Sequence, residues 1–174
     1  SFTDCQRSLM ADDDEKIITH ISNFRKVKRI PDVVQVFYRI QKEMPAKLIM
    51  VGEGPQKEVA ERLCDSLGIS DKVIFLGNSN EIDRILCFSD LFLLPSESES
   101  FGLAALEAMV NEKVVLGSKI PGIRDQLKNF PHHCFKSGDE QDLLNKLKIF
   151  MSNKKEDNLK IGYEFNKYVI KNHN

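Results

Sequence analysis

The run Pro95-Ser96-Glu97-Ser98-Glu99-Ser100-Phe101-Gly102-Leu103-Ala104-Ala105-Leu106-Glu107 places two carboxylates, Glu99 and Glu107, with seven residues between them around a Phe-Gly-Leu turn. It follows the apolar segment Leu91-Phe92-Leu93-Leu94 and opens a helix. Gly102 lets the backbone approach a ligand closely. The free N–H groups of the first helical turn, those of Leu103 among them, can hold an anion with help from the helix dipole. Glu107 lies about one turn up that helix, ~6 Å beyond Leu103 at the standard rise. One acid in a loop, an anion cradle and a second acid on the helix suit a phosphate flanked by hydroxyl-bearing groups, as in a nucleotide sugar.

A second concentration of charge lies in Ser22-Asn23-Phe24-Arg25-Lys26-Val27-Lys28-Arg29, with four cations in one loop. Arg25 offers a planar fork of donors and Lys28 a mobile point charge, a pairing suited to a diphosphate. Gly52-Glu53-Gly54-Pro55 is a G-x-G turn whose third glycine is replaced by Lys57, so the dinucleotide fingerprint is absent. No G-K-[ST] triplet occurs, which excludes a P-loop. Gly52 is kept as a minor candidate for donor contact.

The elements that must carry these loops alternate. Strand then helix is expected for Lys16–Ser22 and Pro31–Glu43, Lys47–Val51 and Gln56–Leu67, Val73–Leu76 and Glu81–Phe88. The series continues with Leu91–Leu94 and Gly102–Asn111, Val114–Gly117 and Gly122–Leu127, His133–Lys136 and Gln141–Ser152. The strands are short and continuously apolar, as when both faces are covered. Val33, Val34, Phe37 and Ile40 recur at helical spacing. Such alternation implies an α/β, Rossmann-like doubly wound parallel sheet of about six strands, with right-handed crossovers. Ligands bind such sheets outside the strands' carboxyl ends. The loops Asn23–Arg29, Gly52–Pro55, Gly77–Asn80, Pro95–Phe101 and Ser118–Gly122 all fall there, so one composite site is expected. Residues 1–15 read as a connector, 16–152 as the domain, and 153–174 as a helical tail interrupted by Gly162.

Composition narrows the function. A chain of 174 residues is long enough to bury roughly 70% of its extended surface. The net charge of −1 and the lack of a basic stripe argue against nucleic acid. The longest apolar stretches are too short for a membrane span, and Ser1 begins no signal-peptide pattern. The four cysteines, 5, 64, 87 and 134, form no C-x-x-C pair and read as reduced thiols of a cytoplasmic protein. His132-His133, after Pro131, reads as a solvated turn.

The strand–loop–helix string around Glu99 and Glu107 resembles the E-x7-E motif of the retaining, GT-B-fold glycosyltransferases, and the likeness covers nearly all of residues 16–152. It implies the C-terminal, donor-binding half of such an enzyme, independent of metal and without a cofactor. Lys28 aligns with the family's lysine. Arg25 stands for its arginine, which many members carry two residues earlier, where this chain has Asn23. The resemblance implies Arg25 and Lys28 on the leaving diphosphate, and Ser100, Phe101, Gly102 and Leu103 around phosphate and sugar. It places Glu99 on the sugar hydroxyls and Glu107 on the ribose, suiting carboxylates that only accept. Arg25, Lys28 and Glu99 are thus the expected catalytic groups.

The strings Ile21-Ser22-Asn23-Phe24-Arg25, Ala46-Lys47-Leu48 and Leu91 through Leu103 are similar to the branch of bacillithiol biosynthesis, implying UDP-N-acetylglucosamine as donor and L-malate as acceptor. Two segments depart from the family: Asn111-Glu112-Lys113-Val114 replaces a Cys-Gly-x-Pro turn, and Pro121-Gly122-Ile123-Arg124-Asp125 replaces Gly-Gly-x-Pro-Glu. The acceptor half is expected to lie outside this chain, which alone is then inactive, and a homo-oligomer stays open. A transferase of cell-surface polysaccharide with another sugar donor and a UDP-sugar 2-epimerase are the alternatives. A receiver-type signalling domain would need an acidic pair ending the first strand and an aspartate ending the third, and neither is present.

Overall fold

The computed structural model describes residues 6–99 and 102–173. Among these residues six parallel strands form one sheet: β1 (Lys16–Ile21), β2 (Ala46–Val51), β3 (Val73–Gly77), β4 (Leu91–Leu94), β5 (Val114–Ser118) and β6 (Cys134–Phe135). Seven α-helices accompany them: α1 (Ile30–Gln41), α2 (Gln56–Leu67), α3 (Ile82–Phe88), α4 (Leu103–Val110), α5 (Pro121–Leu127), α6 (Glu140–Ser152) and α7 (Lys155–His173). The spatial order is β3-β2-β1-β4-β5-β6. The chain therefore winds outward from β1, returns past it to β4, and winds outward the other way. β1 is flanked by both halves, with Ile18 opposite Leu48 on one side and Leu91 on the other. The crevice above β1 and β4 is the topological switch point, where ligands bind in such sheets.

The period-two geometry of strands explains their continuous apolarity. Ile18, Leu48, Leu93 and Leu116 face a core closed by α1, α2 and α6. Phe92, Leu94 and Val115 face α4, α5 and α7, while Ile17, Ile49 and Val51 face α3. Both sides of β1, β2, β4 and β5 are thus largely covered, whereas edge strand β3 leaves Leu76 exposed.

Two expectations about the C-terminal third need correction. The strand expected over His133–Lys136 is only Cys134–Phe135, because Pro131–His133 closes as a 3-10 turn. α7 runs unbroken through Gly162, which does not interrupt it. Gly162 is buried, and a Cβ there would run into the Glu112 carbonyl. The glycine is the notch by which α7 lies against the turn after α4, with Phe165 and Val169 on its buried face. Among the described residues, no helix is long and apolar enough to cross a membrane.

Candidate functional site

The loop after β1 is anchored from below and charged above. Ser22 N–H donates to Val51 O at 3.1 Å, and Gln56 N–H, at the start of α2, donates to Phe24 O at 3.0 Å. Phe24 is fully buried at φ 42°, a left-handed conformation that is rare for a bulky residue. Gly52 and Gly54 lie beneath, where a Cβ would run into the carbonyls of Ser22 and Asn23. After Phe24 the chain makes a 3-10 turn, Lys26–Lys28, that leads into α1. Arg29 closes it, its Nε donating to Asp32 Oδ2 at 2.6 Å and its Nη1 to Glu97 Oε1 at 2.7 Å. One of the four cations of this loop is therefore spent on structure, joining it to the loop after β4.

That second loop is held just as firmly. Glu97 N–H donates to Val27 O at 2.7 Å, and the Ser96 carbonyl accepts from Ser118 Oγ at 2.6 Å and Ser137 Oγ at 3.2 Å. Gly102, at φ 61°, caps α4, and a side chain there would meet the Gly122 carbonyl. The atypical segment after β5 thus seats Gly122 against the site, with space for neither residue to carry a Cβ. Among the described residues no side chain caps α4, so its first N–H groups have no side-chain partner there.

Between these loops lies an open cavity of about 310 Å³, lined by Asn23, Arg25, Lys28, Glu99, Gly102 and Leu103 together with Val27, Ser98 and Ala104. Lys28 Nζ and Glu99 Oε1 form an ion pair of 2.8 Å, with both side chains only 14% exposed. The buried Ser96 hydroxyl donates to the same Glu99 oxygen at 2.9 Å. Arg25 is exposed and makes no ion pair among the described residues. Cations on one wall and the amino end of α4 on the other make a cradle for a polyanion, with a carboxylate beside it that can accept from hydroxyls. Among the described residues, no group of three or more His, Cys, Asp or Glu could hold a metal ion.

The remaining expected residues lie elsewhere. Ser100 and Phe101 fall outside the described residues, as does Cys5. Gly52 supports the cation loop from below and does not line the cavity. Glu107 is exposed one turn further along α4, where partial burial of its carboxyl, and then the Asp83 charge, raise it above the usual carboxylate range. The five loops do not share one cavity equally. Those after β1 and β4 line it, those after β2 and β5 support it, and the loop after β3 sits at the sheet edge because β3 is outermost.

Two histidines also depart from expectation. His133 is not solvated: its ring is buried against Phe150 and Phe165, with Nδ1 2.9 Å from Val115 O. Burial lowers its pKa to about 4. His20, which sequence reasoning passed over, is fully buried on β1 directly before the cation loop. Its Nδ1 is 2.8 Å from Leu93 O and its Nε2 2.8 Å from Ser22 Oγ. Burial likewise lowers its pKa to about 4, opposed by the Leu93 bond and the Glu99 charge and assisted by Lys28. The signal was a lone imidazole within the apolar segment Ile17-Ile18-Thr19-His20-Ile21.

The family described as Glycosyl transferases group 1 matches residues 2–167. The chain is 48% identical over 115 residues to an N-acetyl-alpha-D-glucosaminyl L-malate synthase of Bacillus anthracis, covering 66% of this chain and 30% of that protein. It is 31% identical over 118 residues to a D-inositol 3-phosphate glycosyltransferase of Mycolicibacterium smegmatis, covering 63% of this chain and 26% of that protein. The chain thus spans less than a third of these relatives. In fold it is similar to the TarM protein of S. aureus crystallised with UDP among its ligands (TM-score 0.85, 22% identity, 92% of this chain and 33% of that one). It is also similar to the C-terminal domain of a glycosyl transferase group 1 protein, LpcC, of Francisella tularensis (TM-score 0.81, 23% identity, 91% and 86%).

Proposed function

The chain belongs to the group 1 glycosyl transferases, and from that premise we propose that it is the donor-binding half of a retaining transferase that holds UDP-N-acetylglucosamine and delivers the sugar to L-malate. The observation that carries this reading is the cavity at the switch point, where Arg25, Lys28, Glu99 and the start of α4 converge. The 48% identity to the Bacillus anthracis synthase favours this donor and acceptor over another sugar donor or an epimerisation.

In this reading Arg25 and Lys28 neutralise the diphosphate as the sugar–phosphate bond breaks. Stabilisation of developing charge by preorganised groups is often the largest catalytic contribution. The backbone N–H groups at Gly102 and Leu103, with Ser100 and Phe101, hold phosphate and sugar, and Asn23 borders the diphosphate. Glu99 accepts from sugar hydroxyls and Glu107 from the ribose. The reaction uses no metal and no cofactor. Acceptor contacts belong to the part of the relatives that this chain does not span, and the whole enzyme works in the cytoplasm, consistent with the buried thiols of Cys64 and Cys134.

The two acids are expected to be inequivalent. Glu107→Gln should weaken UDP and UDP-N-acetylglucosamine alike, by about tenfold, since both carry the ribose. Glu99→Gln should leave UDP binding at least as tight, because the variant releases Lys28 from its 2.8 Å ion pair, while weakening the sugar-bearing donor. Calorimetric titration of both variants with both ligands checks this. Exchanged phenotypes would reverse the assignment, and two silent variants would remove the motif from the site.

A further inference from the structure

Four groups form a directional chain beneath the cavity. Leu93 O can only accept, so His20 Nδ1 carries the proton and donates across 2.8 Å. Nε2 of the neutral ring is then an acceptor, so the Ser22 hydroxyl donates to it, also at 2.8 Å. The Ser22 oxygen in turn accepts from Phe24 N–H at 3.3 Å. Phe24, whose ring stacks near the imidazole with centroids 6.1 Å apart, is the left-handed residue immediately before Arg25. The chain therefore ties the strand that leads to Glu99 to the residue that sets the direction of Arg25 and Lys28.

We propose that His20 is a positioning residue for the donor diphosphate: its imidazole, bonded to Leu93 on β4 and to Ser22 in the cation loop, holds Arg25 and Lys28 at a fixed distance from the Glu99 loop. The inference rests on the reading of the cavity as a nucleotide-diphosphate site. A hydrophobic residue at position 20 would fill the same core but leave the Ser22 hydroxyl and the Leu93 carbonyl without these partners. The Ser22 side chain would then lose the contact that fixes its rotamer, and with it the fixed acceptor for Phe24 N–H, on a residue in a conformation that bulky residues rarely adopt. The imidazole's depressed pKa keeps the ring in the one-donor, one-acceptor form that this chain of bonds requires.

Calorimetry with UDP and with uridine tests the proposal on the wild-type chain, on His20→Asn, on Ser22→Ala and on the two combined. The asparagine amide sits where Nδ1 was, so it keeps the Leu93 bond and loses the Ser22 bond. Each single variant should bind UDP about tenfold more weakly with uridine unchanged, and the combined variant should be no worse than either alone. Equal losses for UDP and uridine, unchanged UDP binding, or additive losses would overturn the positioning role. Failure of the wild-type chain to bind UDP would overturn the functional reading itself, so the two failures are distinguishable. A nitrogen-15 spectrum of the wild-type imidazole needs no variant to fold. Protonated Nδ1 with bare Nε2 at neutral pH is expected, and the opposite tautomer or a cationic ring would overturn the proposal.

Discussion

Between pH 7 and pH 5 the chain should lose about 4 kcal/mol of stability, about 2 for each of His20 and His133. Both rings are buried, and burial lowers each folded-state pKa to about 4, whereas an unfolded histidine titrates near 6.5. Between those values the unfolded chain holds more protons than the folded one. Stability is therefore complete above about pH 6.5 and falls as the pH drops toward 4. The raised carboxyl of Glu107 works in the opposite direction, and the lowered carboxyl of Asp142 contributes its loss only at still lower pH. Urea unfolding at the two pH values measures the difference. His133→Asn places an amide donor where Nδ1 faces the Val115 carbonyl and cannot titrate, so it should halve the pH dependence. A wild-type stability that is flat across this range would mean that neither ring is held neutral in the core.

Lys28→Ala should weaken UDP binding by roughly ten- to a hundredfold while leaving uridine unaffected, because a charge-assisted bond contributes about 1.5–3 kcal/mol. The geometry explains why this lysine should matter more than a surface cation. Its side chain is 14% exposed, it lies at the cavity wall, and it offsets the Glu99 carboxylate 2.8 Å away. Removing it takes away a phosphate partner and also leaves Glu99 uncompensated beside an incoming dianion. Adding Glu99→Gln to Lys28→Ala should accordingly recover part of the lost affinity. Calorimetry checks both, and equal losses for UDP and uridine would reduce the cluster to a solvated turn.

The doubly wound sheet was legible because each strand is short and apolar, the elements alternate along the chain, and α1 carries a periodic apolar face. The two loops that line the cavity were legible too, since Arg25, Lys28 and Glu99 are charges concentrated at strand ends. Their mutual contact was not, because Lys28 and Glu99 are 71 residues apart and only the β1–β4 adjacency brings them together. His20 was missed for the same reason: its partner Leu93 is 73 residues away, and a single histidine in a strand announces no role. His133 was misread because Pro131 marks a turn, and nothing local reveals that α6 and α7 bring Phe150 and Phe165 onto its ring. Gly162 looked like a break, yet its missing side chain is what admits the Glu112 carbonyl. Local pattern specifies elements, while packing between distant elements decides what a histidine or a glycine is for.

The measurement that bears most directly on a UDP-sugar site is calorimetric titration of this chain with UDP, ADP and GDP under one set of conditions. A saturable single site for UDP is expected, with ADP and GDP at least about tenfold weaker. No binding of UDP, or equal binding of all three nucleotides, would contradict it.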